Sequence, residues 1–214
     1  MKMTQDQWRM AAALAVVAIV ATLLLGITDL FTREPIAEAR KAALHEALME
    51  VLPQHANDAL ADAVMVGNGK DARTVYPARD AAGSLTGFAW ETVAPDGYSG
   101  SIHILMGVHP DGSIYAIRVT DHQETPGLGD GIVKNKAWVD SFAGTTLTNT
   151  RWAVKKDGGD FDQFTGATIT PRAVVKAVKR GLEFFRDNHA AILGQQPAGG
   201  ATTGSAAGAA GGER

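Results

Sequence analysis

Cysteine is missing altogether from the 214 residues. Its absence excludes thiolate zinc sites, cysteine-ligated iron–sulfur clusters, disulfide scaffolds and thiol catalysis. It fixes no compartment, because a cysteine-free chain suits oxidising and reducing surroundings alike. An excess of basic charge is lacking too: 20 Lys and Arg stand against 23 Asp and Glu. That balance gives no support for nucleic-acid binding, which calls for a clustered basic surface. His45, His55, His103, His109 and His189 lack ligand spacing, so no metal site is expected. No nucleophile triad is visible either. Asp160 and Asp162 read as loop acids and not as a proton-transfer pair, so no catalytic residue is assigned.

Charge is also absent between Arg9 and Asp29, where the chain reads MAAALAVVAIVATLLLGIT from Met10 to Thr28. As a helix this run is roughly 28 Å long, close to the hydrocarbon thickness of a bilayer. A cleaved signal peptide is the alternative, but its apolar region is usually shorter, about 7–15 residues, and ends in a small-x-small site. The sequence GITDLFTREP that follows is a poor cleavage site, and an uncleaved transmembrane anchor is the expectation. Lys2 and Arg9 precede the run, whereas Arg33, Arg40 and Lys41 follow it. The positive-inside rule counts these residues, and the flanks nearly tie.

Past the anchor, Pro35 to Leu52 reads as an amphipathic helix. Pro35 suits its first position, Ile36, Leu44, Leu48, Val51 and Leu52 form one side, and Pro53 stops it. It is either a stalk above the membrane or the first core helix. Leu85 to Val93, Ser101 to Val108 and Ser113 to Val119 are strand-like, and the turn sequences PDGYSG and HPDG separate them. Val64 to Val66, Thr74 to Tyr76 and Ala153 to Lys156 are shorter strand candidates. A helix is expected around Lys136 to Phe142. Another begins with Thr170 as N-cap and Pro171 as first helical residue, burying Val174, Val175, Val178, Leu182 and Phe185. The expected fold is α+β: an antiparallel meander sheet with flanking helices, preceded by one transmembrane helix. Its divisions are an N-terminal flank (1–9), the anchor (10–28), a domain (35–193) and a disordered Gly/Ala tail (194–214). The tail holds seven of the 24 glycines and has no periodicity.

Two clusters of small polar residues stand out, DHQETPGLGDG (Asp121 to Gly131) and DFDQFTGATITPRAV (Asp160 to Val174). Gly127-Leu128-Gly129 lacks the third glycine of a dinucleotide fingerprint. The second cluster ends at a helix N-terminus, where free N–H groups and the helix dipole favour a phosphate. Gly166 and Ala167 leave room for a bulky group. On these grounds alone, a phosphate site and an ordinary capped helix start remain equal alternatives.

Thr165-Gly166-Ala167-Thr168 resembles the S/T-G-A-T flavinylation motif of the FMN-binding domain family. It occurs behind one anchor, together with APDGYSG, HQETPGLGD and AVKKDGGDFDQFTGAT. In that combination and order, the chain resembles the G subunits of Rnf (Rsx) electron-transport complexes from the anchor to about Arg186. The equivalent FMN subunit of the sodium-pumping NADH:quinone reductase shares ETPGLG and SGAT, but is usually longer. Thr165 stands where serine is commoner.

The resemblance implies FMN joined through its phosphate to the Thr168 hydroxyl, with Thr165, Gly166 and Ala167 beside it. It places ETPGLG, Glu124 to Gly129, against the isoalloxazine. Thr125 would make a polar contact there, Leu128 would pack, and Gly127 and Gly129 would admit the backbone. Threonine is a poor nucleophile without a base beside it, so a separate flavin transferase using FAD and Mg²⁺ is implied as a maturation partner. Lys155 and Lys156 are either compensators of phosphate charge or solvated surface lysines. His122 is either a flavin contact or a turn residue. Trp90, Trp138 and Trp152 are expected in the core, with one a candidate for flanking the flavin. The implied role is a membrane-anchored electron carrier of an ion-translocating ferredoxin:NAD oxidoreductase. It would work with the other Rnf subunits at a bacterial inner membrane, as a single-pass protein with its domain on the periplasmic side. The chain shows no complete active site of its own. A flavin-free periplasmic scaffold, with Thr168 merely opening a helix, is the alternative.

Overall fold

The computed structural model describes residues 5–194. The chain divides into two compact units between Glu46 and Ala47, inside helix α1, Gln5–Val51. Residues 195–214, which hold nearly all of the expected tail, lie outside the described residues.

In the first unit, large side chains on every side of α1, among them Leu14, Val17, Leu24 and Leu25, are exposed. A one-sided apolar stripe would call for a protein face; an apolar surface all round suits a hydrocarbon solvent. Among the described residues, α1 is the helix long and apolar enough to cross a membrane. Thr22, Thr28 and Thr32 each donate a hydroxyl to the carbonyl four residues earlier, at 2.8 Å. Their polar atoms are therefore satisfied within the helix, as lipid requires.

The expected helix start at Pro35 is corrected by the structure, because Pro35 lies inside α1. Proline removes one N–H and crowds the preceding turn, at a cost of about 3 kcal/mol. Its neighbours Glu34, Ala37, Glu38, Ala39, Arg40 and Lys41 include good helix formers. Extending a helix also avoids the cost of a new nucleus. Ile36, expected on the buried side, is exposed.

The second unit is built on five antiparallel strands, β1 Val64–Val66, β2 Arg73–Arg79, β3 Leu85–Ala94, β4 Ile102–Val108 and β5 Ile114–Asp121. Each pairs with its sequence neighbour, in the order β1-β2-β3-β4-β5. That is the expected meander. After it come the short helices α2, Gly131–Lys134, and α3, Lys136–Asp140. Helix α4, Ile169–Asp187, follows, and α5, His189–Leu193, ends the described chain.

Helix α4 buries Val174, Val175, Val178, Leu182 and Phe185, the apolar face read from its spacing. Phe185 stacks on Trp90 of β3, with ring centroids 5.9 Å apart. A Cβ on Gly181 would come within 2.2 Å of the Met106 sulfur, so glycine sets how closely α4 approaches the sheet. The opposite face of the sheet takes the end of α1. There a Cβ on Gly107 would lie 1.6 Å from the Val51 carbonyl oxygen, and one on Gly87 would lie 2.7 Å from Pro53. Leu48, Val51 and Leu52 are buried.

Three further expectations are corrected. Helix α4 begins at Ile169 with Thr168 in the capping position, so Thr170 is not the cap and Pro171 is the third helical residue. Ala153 to Lys156 is not a strand: Val154 makes one isolated bridge to Phe161, and Lys155–Asp157 is a turn of 3₁₀ helix. The Lys136 helix stops at Asp140, and Phe142 is buried beyond it. Phe142 stacks on Phe161 at 4.3 Å and meets Trp138 edge-on at 5.1 Å. This aromatic cluster anchors the otherwise irregular segment that leads to Thr168.

Candidate functional site

Three segments, distant in sequence, meet at the N-terminus of α4. The first is the turn between β3 and β4. The second follows β5. In it, Gly127 adopts φ +79°, where an L side chain is strained, and its N–H donates to Asp130 Oδ1 at 2.8 Å. The N–H groups of Leu128 and Gly129 both reach the Thr125 carbonyl, at 3.2 and 3.1 Å. The third segment runs from Phe161 to Thr168. Gly166 also has φ +79°, and the Ala167 N–H closes the turn on the Phe164 carbonyl at 3.1 Å.

Packing fixes the third segment in place. The Trp138 indole N–H donates to the Asp162 carbonyl at 2.8 Å, and its ring meets that of Phe164 at 5.2 Å. Gly131, the first residue of α2, leaves room for the Phe164 ring, which a Cβ there would meet at 3.0 Å. Arg172 of α4 clamps Asp157 through two hydrogen bonds, of 2.5 and 2.6 Å. That guanidinium holds the Asp157 carboxyl below the ordinary aspartate range. On the second segment, Lys134 does the same for Asp130.

Between the segments lies a cleft of about 340 Å³, lined by Glu124, Thr125, Leu128, Gly129, Gly166, Ala167 and Thr168. Seven of the nine residues expected to meet the cofactor are thus brought together. Thr165 and Gly127 are not on the lining; they shape the turns behind it. Tyr98, Ile169 and Thr170 also line the cleft and were not expected there. Tyr98 lies in the APDGYSG turn, which was read for its turn chemistry and as part of the family resemblance, with no cofactor contact assigned to it. Ile169 and Thr170 directly follow the threonine motif, so adjacency was the available signal.

The walls are apolar and open: Leu128 is 48% exposed, Ile169 47% and Tyr98 69%. Polar atoms collect at the floor. The Glu124 side chain is buried there; its Oε1 accepts the Ser99 N–H at 3.0 Å and its Oε2 the Thr170 hydroxyl. The neighbouring threonines differ sharply. Thr170 is buried with its hydroxyl engaged, Thr165 is exposed off the lining, and Thr168 lines the cleft with no capping bond from its side chain.

Several other residues turn away from this cleft. Lys155 pairs with Asp162 at 2.7 Å, and neither Lys155 nor Lys156 lines it. His122 accepts the Glu124 N–H on Nδ1 at 3.1 Å, a turn contact. Trp90 and Trp138 are buried in the core and Trp152 packs against it; none of the three lines the cleft.

Residues 97–183 match the family model of the FMN-binding domain, and residues 1–51 that of the RnfG N-terminal region. The chain is similar to the G subunits of ion-translocating oxidoreductase complexes from several bacteria. The Aliivibrio fischeri protein is 48% identical over 184 residues, covering 81% of this chain and 87% of that one. The Pseudomonas aeruginosa protein is 43% identical over 203 residues, covering 90% and 94%. A crystal structure of NqrC from Shewanella oneidensis aligns with a TM-score of 0.48 and 25% identity, over 60% of this chain and 68% of that one.

Proposed function

The chain belongs to the family of G subunits of ion-translocating oxidoreductase complexes and carries an FMN-binding domain, and from that premise we propose that FMN is esterified through its phosphate to Thr168. The observation that carries this reading is the selection among three threonines. Thr168 alone combines a place on the cleft lining with a hydroxyl not engaged in capping.

The cleft fits the group by its chemistry. Phosphate oxygens at Thr168 would meet the first N–H groups of α4, on Ile169 and Thr170, before Pro171 interrupts the donors. Gly166 leaves the approach open, since a Cβ there would meet only Leu128, at 3.5 Å. Leu128, Ile169 and Tyr98 supply apolar walls for the ring, while Thr125 and Gly129 border its polar edge. The bound flavin supplies the electron chemistry; the protein binds it, orients it and limits its contact with water. No base stands beside Thr168 in sequence, so attachment is assigned to a separate FAD- and Mg²⁺-dependent flavin transferase.

In this reading residues 10–28 anchor the protein in a bacterial inner membrane, and the domain of residues 35–193 lies on the periplasmic side. It passes electrons among the other subunits of an Rnf-type complex. The attachment is tested by mass spectrometry of the tryptic peptide Asp157–Arg172, which should carry the mass of FMN. Thr168→Val should abolish flavin fluorescence on a denaturing gel, because valine keeps the shape and lacks the acceptor oxygen; a fluorescent variant refutes the assignment. The topology is tested by fusion after Leu193, where alkaline phosphatase should be active.

A further inference from the structure

Glu124 is only 4% exposed, yet it lines the cleft whose other walls are mostly apolar. A carboxylate taken out of water is costly unless donors surround it. Here they come from two remote segments: the Ser99 N–H from the β3–β4 turn and the Thr170 hydroxyl from α4. Glycines make the space. A Cβ on Gly97 would lie 2.9 Å from Oε1, and one on Gly129 would lie 2.7 Å from Oε2. An apolar residue here would have needed no such donors.

Other charged groups nearby are neutralised by partners. Asp130 pairs with Lys134 at 2.5 Å, Asp96 with Lys176 at 3.4 Å and Asp157 with Arg172. His122 faces the Glu124 backbone, and Tyr98 reaches the cleft from the β3–β4 turn. Glu124 has hydrogen-bond donors and no cationic partner among the described residues, so its charge faces whatever fills the cleft. Resting on the assignment of FMN to this cleft, we propose that the Glu124 carboxylate holds down the midpoint potential of the bound flavin. Reduction of the flavin by two electrons and one proton adds one negative charge to the cleft. A fixed carboxylate in contact with that cleft opposes the addition, and more strongly there than in water.

The test uses the full-length chain, co-produced with a flavin transferase and titrated at one pH with dithionite and mediator dyes. Dithionite is oxidised to sulfite and supplies two electrons per flavin; the accompanying proton comes from water. Glu124→Gln is nearly isosteric, and the Thr170 hydroxyl can reverse to accept from the new amide. It should load flavin and raise the equilibrium constant for reduction about tenfold, about 30 mV for a two-electron couple. Glu124→Asp keeps the charge and should stay near the wild-type potential. Glu124→Ala is a second neutral variant, read in the same way should the glutamine form not fold. A loaded neutral variant at the wild-type potential overturns the proposal, as does an equal rise in the aspartate variant. Failure of both neutral variants to load also overturns it, leaving Glu124 as a residue that assembles the cleft. A wild-type chain without flavin instead refutes the reading of the cleft itself, a result told apart at the first lane of the gel.

Discussion

The two long helices, α1 and α4, have the same backbone and opposite relations to their surroundings. From Met10 to Thr28 α1 is apolar on all sides and its large side chains are exposed. Helix α4 buries one apolar face, while Lys176, Lys179, Arg180 and Arg186 keep the other in water. The difference shows that helix formation decides little here; what the side chains face decides which helix anchors and which one builds a core. It also explains the position of the cleft. Only a helix fixed on the sheet can hold its N-terminus still against two loops, and α4 is that helix.

The comparison breaks most severely at Val178, which is fully buried on the packed face of α4. Val178→Asp puts an unpaired charge into that core, at a cost of several kcal/mol. Loss of the cooperative melt of the second unit is expected, with membrane association retained. The reciprocal change is Ile19→Arg, in the middle of the apolar run of α1. An arginine at a helix centre costs about 2.5–3.5 kcal/mol on insertion scales. The carbonate-resistant membrane fraction should fall while the melt of the second unit is unchanged. Were each variant to show the other's phenotype, the two helices would have been assigned the wrong way round.

A finer test lies at Gly181, where α4 meets β4. Gly181→Ala improves helix propensity by roughly 1 kcal/mol, yet its Cβ would lie 2.2 Å from the Met106 sulfur. Overpacking of a fitted core costs about 1–3 kcal/mol, so net destabilisation is expected in a denaturant titration. The double variant Gly181→Ala with Met106→Ala should recover part of the loss if that contact is the cause. A single variant at or above wild-type stability would show that α4 can slide on the sheet.

How far the sequence foretold this varies with the range of the interactions involved. Strand β1 matches residue for residue, and β3, β4 and β5 match to within two residues at each end, because alternation and turn chemistry are local signals. The apolar face of α4 was legible for the same reason. Pro35 misled, since the cost of one proline was weighed without the helix already running on both sides of it. Thr170 misled differently: as a threonine before proline it resembles a cap, but its hydroxyl serves Glu124, a partner 46 residues away. The threonine motif and the loop before α2 stood out in the sequence as separate clusters. Their meeting, and the buried charge beneath it, depend on contacts between distant segments that no local pattern encodes.

The smallest expected effect concerns the strap between Asp157 and Arg172, which ties the 3₁₀ turn to the first part of α4. The Arg172 guanidinium lowers the Asp157 pKa in the folded protein. A lowered folded-state value means that the strap stabilises fully above the unfolded pKa, about 3.9. That contribution is lost as pH falls through the folded value. Asp157→Asn removes it at every pH. The variant should therefore melt slightly below wild type at pH 7, and the gap should close as the pH is lowered below about 4. Both partners are partly exposed, so salt should narrow the gap at pH 7 as well. Other aspartates with lowered values, Asp111, Asp130 and Asp160, titrate alike in both proteins and cancel in the difference. Asp29 supplies the control from α1, where its pair with Arg33 lies wholly within the exposed helix. Asp29→Asn should leave the melting temperature of the second unit unchanged at both pH values. A gap at Asp157 that persists at low pH would mean that the asparagine disturbs the turn by its shape, and that the charge contributes nothing to holding α4 against the loop.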